Sequence, residues 1–261
     1  VVVLAWGLLL WKSRAIEPDY MGFDAEHHLH YVRFLLERGA LPLPSDGIQT
    51  YQPPLFYLLA AGLLRGLDLA PDSRSAALAR RALTFAIGLP HVAGVAACAR
   101  SLLPGRLGPM LVALAFAAFV PLQIATSHAL GNEVLVAALS TWTVVGLVRV
   151  LRSDAPSAWW GGVVGVGLGC ALMAKLSALV LSPVVLGALA LRHPRRPALW
   201  TLALLGVLVV TGGYYARIAS LYGTPFVGNW DAIVGYAWWQ DPGTRSLHDY
   251  VRFGAGFRDP W

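Results

Sequence analysis

Charge is scarce in this chain. Only 13% of its 261 residues are Asp, Glu, Lys or Arg, against about 25% in soluble domains, while 57% are hydrophobic. That balance excludes an ordinary soluble domain and leaves a polytopic membrane protein. Cysteine is nearly absent. Cys98 and Cys170 both fall inside apolar runs, which excludes a disulfide framework and a metal site of CxxC type. Acids are outnumbered, and the net charge of +6 would suggest nucleic acid in a soluble protein. Here the arginines sit mostly in short joints between apolar runs, so the excess speaks for membrane orientation and against a nucleic-acid partner. No internal repeat is visible, and no signal peptide is needed because the spans themselves direct insertion. A starting Met is also missing. The apolar opening VVVLAWGLLLW is shorter than the about 20 residues a span needs, and the chain stops in a polar, aromatic stretch at Trp261. A fragment is expected, lacking the start of the first helix and whatever follows a late loop.

Against that background, Tyr20 to Leu59 stands out. It carries Asp24, Glu26, His27, His28 and His30, the densest cluster of ionisable groups in the chain. From Asp24 the pattern is helical: Ala25, Leu29, Val32 and Leu36 make one apolar stripe, and Gly39 is a natural C-cap. At about 100° per residue, Asp24, His28 and Tyr31 share a neighbouring face, with His27 beside them. Such a helix lies at the membrane interface and presents an acid and imidazoles to a cavity. A second reading stays open, in which the helix is merely amphipathic and Asp24 is its N-cap. Tyr51-Gln52-Pro53-Pro54 then leads into an apolar run at 55–69 that carries Arg65 and Asp68, short for a span and suited to an interfacial or re-entrant helix.

Further apolar runs lie at 82–103, 110–127, 134–151, 158–174, 176–191 and 198–216. Their joints alternate. One set holds Arg100, Arg106, Arg149, Arg152, Arg192, Arg195 and Arg196 against the single acid Asp154, and the other holds His128, Asn132, Glu133 and Lys175. The positive-inside bias makes the first set cytoplasmic. The expected fold is therefore all-α, a transmembrane bundle of about seven spans over 1–216. Residues 12–80 form its first external loop, with interfacial helices, and an external segment begins at 217 and runs to 261. Gly161, Gly165 and Gly169 recur every four residues and predict a close helix–helix approach. Trp159-Trp160 fit an aromatic belt, and Arg80-Arg81 flank a span where they contact lipid phosphate.

Four external features converge on one side: Asp24 to His30, Tyr51-Gln52, Asn132-Glu133, and Lys175 with Arg217. Charged groups at membrane depth are candidates for function by default. Two cations near an external acid suit an anionic lipid phosphate, with Asp24 left as base and Glu133 at the start of a helix opposite it. His27 and His30 with Glu26 could reach one divalent metal, but no HExxH or other close spacing is present, so no metal site is assigned and a divalent cofactor stays an option.

The motifs Phe23-Asp24-Ala25-Glu26-His27, Gly39, Tyr51 to Tyr57, Pro121 with Asn132-Glu133, and Met173-Ala174-Lys175-Leu176-Ser177 occur in an order and spacing that resemble the GT-C membrane glycosyltransferases. The nearest branch is that of the protein O-mannosyltransferases and aminoarabinose transferases (glycosyltransferase family 39-like). The resemblance spans essentially the whole chain and matches that superfamily's N-terminal module. It implies inverting transfer of a sugar from a polyprenyl-phosphate donor to a lipid, protein or glycan acceptor at the external or periplasmic face of a bacterial-type plasma membrane. It further implies Asp24 as the base, Glu26 and Glu133 as supporting acids, and Lys175 and Arg217 on the donor phosphate. His27, His28, Tyr31, Tyr51, Gln52 and Asn132 are expected around the substrates. Trp238-Trp239 fit the aromatic belt like Trp159-Trp160, with a sugar or lipid site, shared with Trp230, as the other reading. Three departures from the family pattern are visible. Ala25 separates the paired acids, Gln52 stands where some branches carry an acid or histidine, and Glu133 replaces an aspartate. Two other classes stay open: a transporter or flippase of a lipid-linked solute, and a non-catalytic subunit of a polymer-assembly complex.

Overall fold

A computed structural model describes residues 1–13 and 24–228, apart from the Leu10 side chain. Trp230, Trp238, Trp239 and Phe23 lie outside the described residues, as does most of the segment expected from 217 onward. The described residues contain helices and connecting turns: α1 (Val2–Ser13), α2 (Ala25–Arg38), α3 (Leu55–Gly66), α4 (Arg74–Leu102), α5 (Leu107–Phe119), α6 (Pro121–Thr126), α7 (Glu133–Leu151), α8 (Trp159–Ala174), α9 (Leu181–Arg192) and α10 (Pro197–Tyr222). Three of them, α4, α7 and α10, are long and apolar enough to cross a membrane.

The other apolar helices are shorter than the runs read from sequence, each for a local reason. Pro121 has no N–H to continue the preceding helix, so the run at 110–127 divides into α5 and α6. Lys175 is extended (φ −157°, ψ 135°), which ends α8 and is followed by a 3-10 turn, Leu176–Val180, before α9. In the other direction, α10 continues past 216 to Tyr222, where Gly223 at φ 74° closes it, so Arg217 is a helical residue. α4 likewise begins well before the apolar run at 82–103. Ser73 caps it by accepting from the Ala76 N–H at 3.1 Å. One face of its first two turns is buried, through Ala76, Ala77, Arg80 and Arg81, so Arg80 and Arg81 are interior instead of facing lipid. Arg80 donates to the Pro71 carbonyl at 2.6 Å.

The helix expected after Asp24 forms with the expected end, Gly39 at φ 62°. α2 and α3 pack together over the start of α4 and against α7 and α8. The shared core comprises Tyr31, Val32, Leu35, Phe56, Tyr57, Ala60, Leu64 and Ala76, with Leu135 and Ala174 beneath. Each fully buried Phe or Leu side chain there contributes about 1.5–3 kcal/mol. The Arg33–Asp72 ion pair ties α2 to the turn before α4. At twelve residues, α3 spans only about 18 Å and cannot cross a bilayer. α8 and α10 meet along the glycine stripe. A Cβ at Gly161 or Gly165 would strike the carbonyl of Leu199 or Ala203, so the two backbones touch where only glycine fits. α1 is fastened by Trp6, fully buried against Gly88, with Nε1 donating to the Ala118 carbonyl at 2.9 Å.

Candidate active site

Asp24 stands at the N-cap position of α2, yet its carboxylate accepts no bond from the first turn of that helix. Capping, the simplest structural use for an aspartate there, does not account for it. The carboxylate faces a cavity of about 640 Å³ shared with Gln49, Tyr51, Gln52, Glu133 and Lys175. Burial raises its pKa above the ordinary 3.8, and Glu133 adds to the rise. His27, Lys175 and a hydrogen bond from Gln49 oppose it.

Glu133 opens α7 and Lys175 follows the last turn of α8. Lys175 Nζ donates to Glu133 Oε1 at 2.7 Å across the gap between the two helices. Gly131 makes room for this pair, since a Cβ there would run into the Glu133 carboxylate. Leu176, Ser177, Leu179, Val180 and Phe226 also line it. The cavity lining therefore combines an acid, an ion pair and two amides with an apolar set of side chains.

Asn132 is fully buried and does not line this space. Its Nδ2 donates to the Ala174 carbonyl at 2.8 Å and to Gln52 Oε1 at 3.2 Å. One side chain thus joins the first-loop motif, the start of α7 and the peptide that precedes Lys175. Its Oδ1 is buried without a partner among the described residues. Gln52 in turn donates to Gln49 Oε1 at 3.2 Å and to the Tyr51 hydroxyl at 3.1 Å. Burial pushes the Tyr51 pKa up to about 12, so it remains a neutral phenol.

The remaining candidates divide. His28 is buried, with Nδ1 2.7 Å from the Tyr57 hydroxyl, and Tyr57 stacks flat on Tyr31 at 3.8 Å between ring centres. Burial pushes the His28 pKa down to about 4 and holds the imidazole neutral. His28 and Tyr31 are thus parts of a buried stack behind the site, and neither lines the cavity. His27 acts on Asp24 through its charge. Glu26 is exposed and outside the cavity, and His30 Nε2 lies 3.2 Å from the Asp46 carbonyl, securing the first loop. Arg217 is not brought to Lys175. Its Nη2 donates to the Leu41 carbonyl at 3.4 Å, its Nη1 is buried without a partner among the described residues, and it does not line the cavity. Gln49 was not singled out from the sequence, although its spacing of three from Gln52 is the one available signal. Among the described residues, no three of His, Cys, Asp and Glu converge closely enough to hold a metal ion.

Residues 52–214 match the family described as dolichyl-phosphate-mannose-protein mannosyltransferase. The chain belongs to this family. No curated protein and no solved structure matches it. Membership makes the chain a membrane glycosyltransferase of the GT-C type. The matched segment of the mannosyltransferase family takes in Gln52, Asn132, Glu133 and Lys175. Asp24, Tyr51 and Arg217 fall outside it, so geometry alone joins the first-loop acid to the family's frame.

Proposed function

We propose that this chain transfers a sugar, with inversion, from a polyprenyl-phosphate carrier to an acceptor hydroxyl, and that Asp24 is the base. The observation that carries the reading is the uncapping Asp24 carboxylate facing a cavity that also holds the Glu133–Lys175 pair. The apolar lining of Leu176, Leu179, Val180 and Phe226 suits a prenyl chain, and Lys175 suits the phosphate at its head. Asp24 takes the proton of the acceptor hydroxyl as its oxygen bonds to the anomeric carbon. On the opposite face the bond from that carbon to the phosphate oxygen breaks, and the electron pair leaves with the polyprenyl phosphate, countered by Lys175. Glu133 holds the lysine in place until the phosphate arrives. Arg217 stands outside the cavity and donates to the Leu41 carbonyl, so it is given no role on the phosphate.

The positive-inside bias supports a topology with the arginine-rich joints in the cytoplasm and this cavity on the external or periplasmic side of the plasma membrane. Under that topology α1, α4, α8, α7, α10 and the α5–α6 and α9 segments supply seven crossings, and α2 and α3 lie at the interface.

The test uses the full-length protein in membranes and labelled sugar on a panel of polyprenyl-phosphate carriers. Asp24→Asn is expected to insert normally and lose transfer by about 10²-fold or more. Retained transfer would remove Asp24 as the base.

A further inference from the structure

Glu133 and Arg149 stand toward opposite ends of α7, about 24 Å apart by helical rise. The arginines at the far end are not alike. Arg192 donates to Asp154 Oδ1 at 2.9 Å and to the Leu151 carbonyl at 3.2 Å, and Arg196 donates to the Pro156 carbonyl at 3.0 Å. These two fasten the joint between α7 and α8. Arg149 and Arg152 instead line a second cavity, of about 610 Å³, with Ser101, Ser153, Ser157 and Trp160. It lies between the last turns of α4 and α7 and the first turn of α8. No acid lines it. The Arg149 guanidinium rests 4.5 Å from the centre of the Trp160 ring, which holds it in the cavity wall while leaving its N–H groups free of any carboxylate among the described residues.

Two cations and the hydroxyls of Ser153 and Ser157, with no lining acid, suit a phosphate or phosphodiester, while the Ser101 hydroxyl donates to the Ala97 carbonyl at 3.0 Å. Its depth indicates the source. The cavity opens where three apolar helices end, beside the exposed indole of Trp159, the level that headgroups occupy in a bilayer. We propose that this cavity binds the headgroup of an anionic phospholipid, with Arg149 and Arg152 on the phosphate and Trp160 at the glycerol level. Basic pockets between membrane helices bind headgroups by this chemistry. The site is remote from Asp24 and does not depend on the reaction assigned there.

The full-length protein is placed in nanodiscs of phosphatidylcholine doped with phosphatidylglycerol, and the lipid retained after release is counted by native mass spectrometry. Wild type is expected to retain phosphatidylglycerol preferentially, and Arg149→Gln/Arg152→Gln to lose that preference by roughly 30-fold, about fivefold per arginine. Ala155→Asp, an exposed position on the cavity rim, keeps both arginines but supplies the missing counter-charge, and is expected to show the same loss. Arg195→Gln, a joint arginine outside the cavity, is expected to bind like wild type. Equal losses in Arg195→Gln, or none in the double variant and Ala155→Asp, would overturn the site. Displacement of the lipid by inorganic phosphate alone, with the same arginine dependence, would overturn the lipid assignment in favour of a soluble phosphate ligand.

Discussion

Asp24 carries a charge that its surroundings both resist and sustain. Burial and Glu133 raise its pKa, while His27, Lys175 and Gln49 lower it. As the base it must be ionised, so transfer is expected to rise with pH through a value above 3.8. Two neighbours should move that limb in opposite directions. Glu133→Gln removes a negative charge and is expected to shift it down, and Lys175→Gln removes a positive charge and is expected to shift it up. The pH profile of residual transfer checks both, and shifts of the same sign, or none, would show that the two charges do not act on Asp24 in this way. Linkage runs the same way for folding. Because the folded protein favours the protonated acid, stability contributed at this residue falls as pH rises from the unfolded value through the raised one. The residue types at this site were legible in the sequence because charge is expensive near a membrane and therefore conspicuous. Their partners were not. Asn132 reads as a substrate contact when it stands beside Glu133, yet its amide is spent on Gln52 and Ala174, residues distant in sequence.

Among the helices, the α8–α10 contact is the most demanding, because backbone meets backbone at Gly161 and Gly165 and Gly169 packs against Val210. Gly165→Leu places a side chain on the Ala203 carbonyl and is expected to destabilise the protein by about 3 kcal/mol. Gly187→Ala on α9, where a Cβ meets nothing within 4 Å, is expected to be neutral or slightly stabilising. Thermal unfolding of both variants in detergent checks the pair, and equal melting would mean that the glycine stripe is not a contact. The stripe was visible as a four-residue period. Its partner helix was not, since a period specifies one face and leaves open what that face meets. The element ends follow the same division. Gly39 stops α2 and Ser73 starts α4 where local signals place them, whereas the burial of the first turns of α4 depends on packing with α3, which no local signal records.

The whole molecule has two chemically distinct ends, an acid and ion-paired cavity near Asp24 and an arginine-rich one near Arg149. Single cysteines at exposed Ser45 and Arg195, in a chain with Cys98 and Cys170 replaced by Ser, are expected to react with an impermeant maleimide from opposite sides of the membrane. Reaction from one side would refute the orientation. By itself the sequence determined the all-helical membrane class, the alternation of joint charge and the residue types of the first loop. Each of these follows from composition or short-range periodicity, which solvent transfer energies act on directly. Only the tertiary structure decided that Lys175 pairs with Glu133, that Arg80, Arg81 and His28 are interior, and that Arg217 stands apart from the cavity. Those outcomes depend on which helix faces which. Helix pairing is settled by close packing over the whole bundle, and neighbouring residues in the chain carry no record of it.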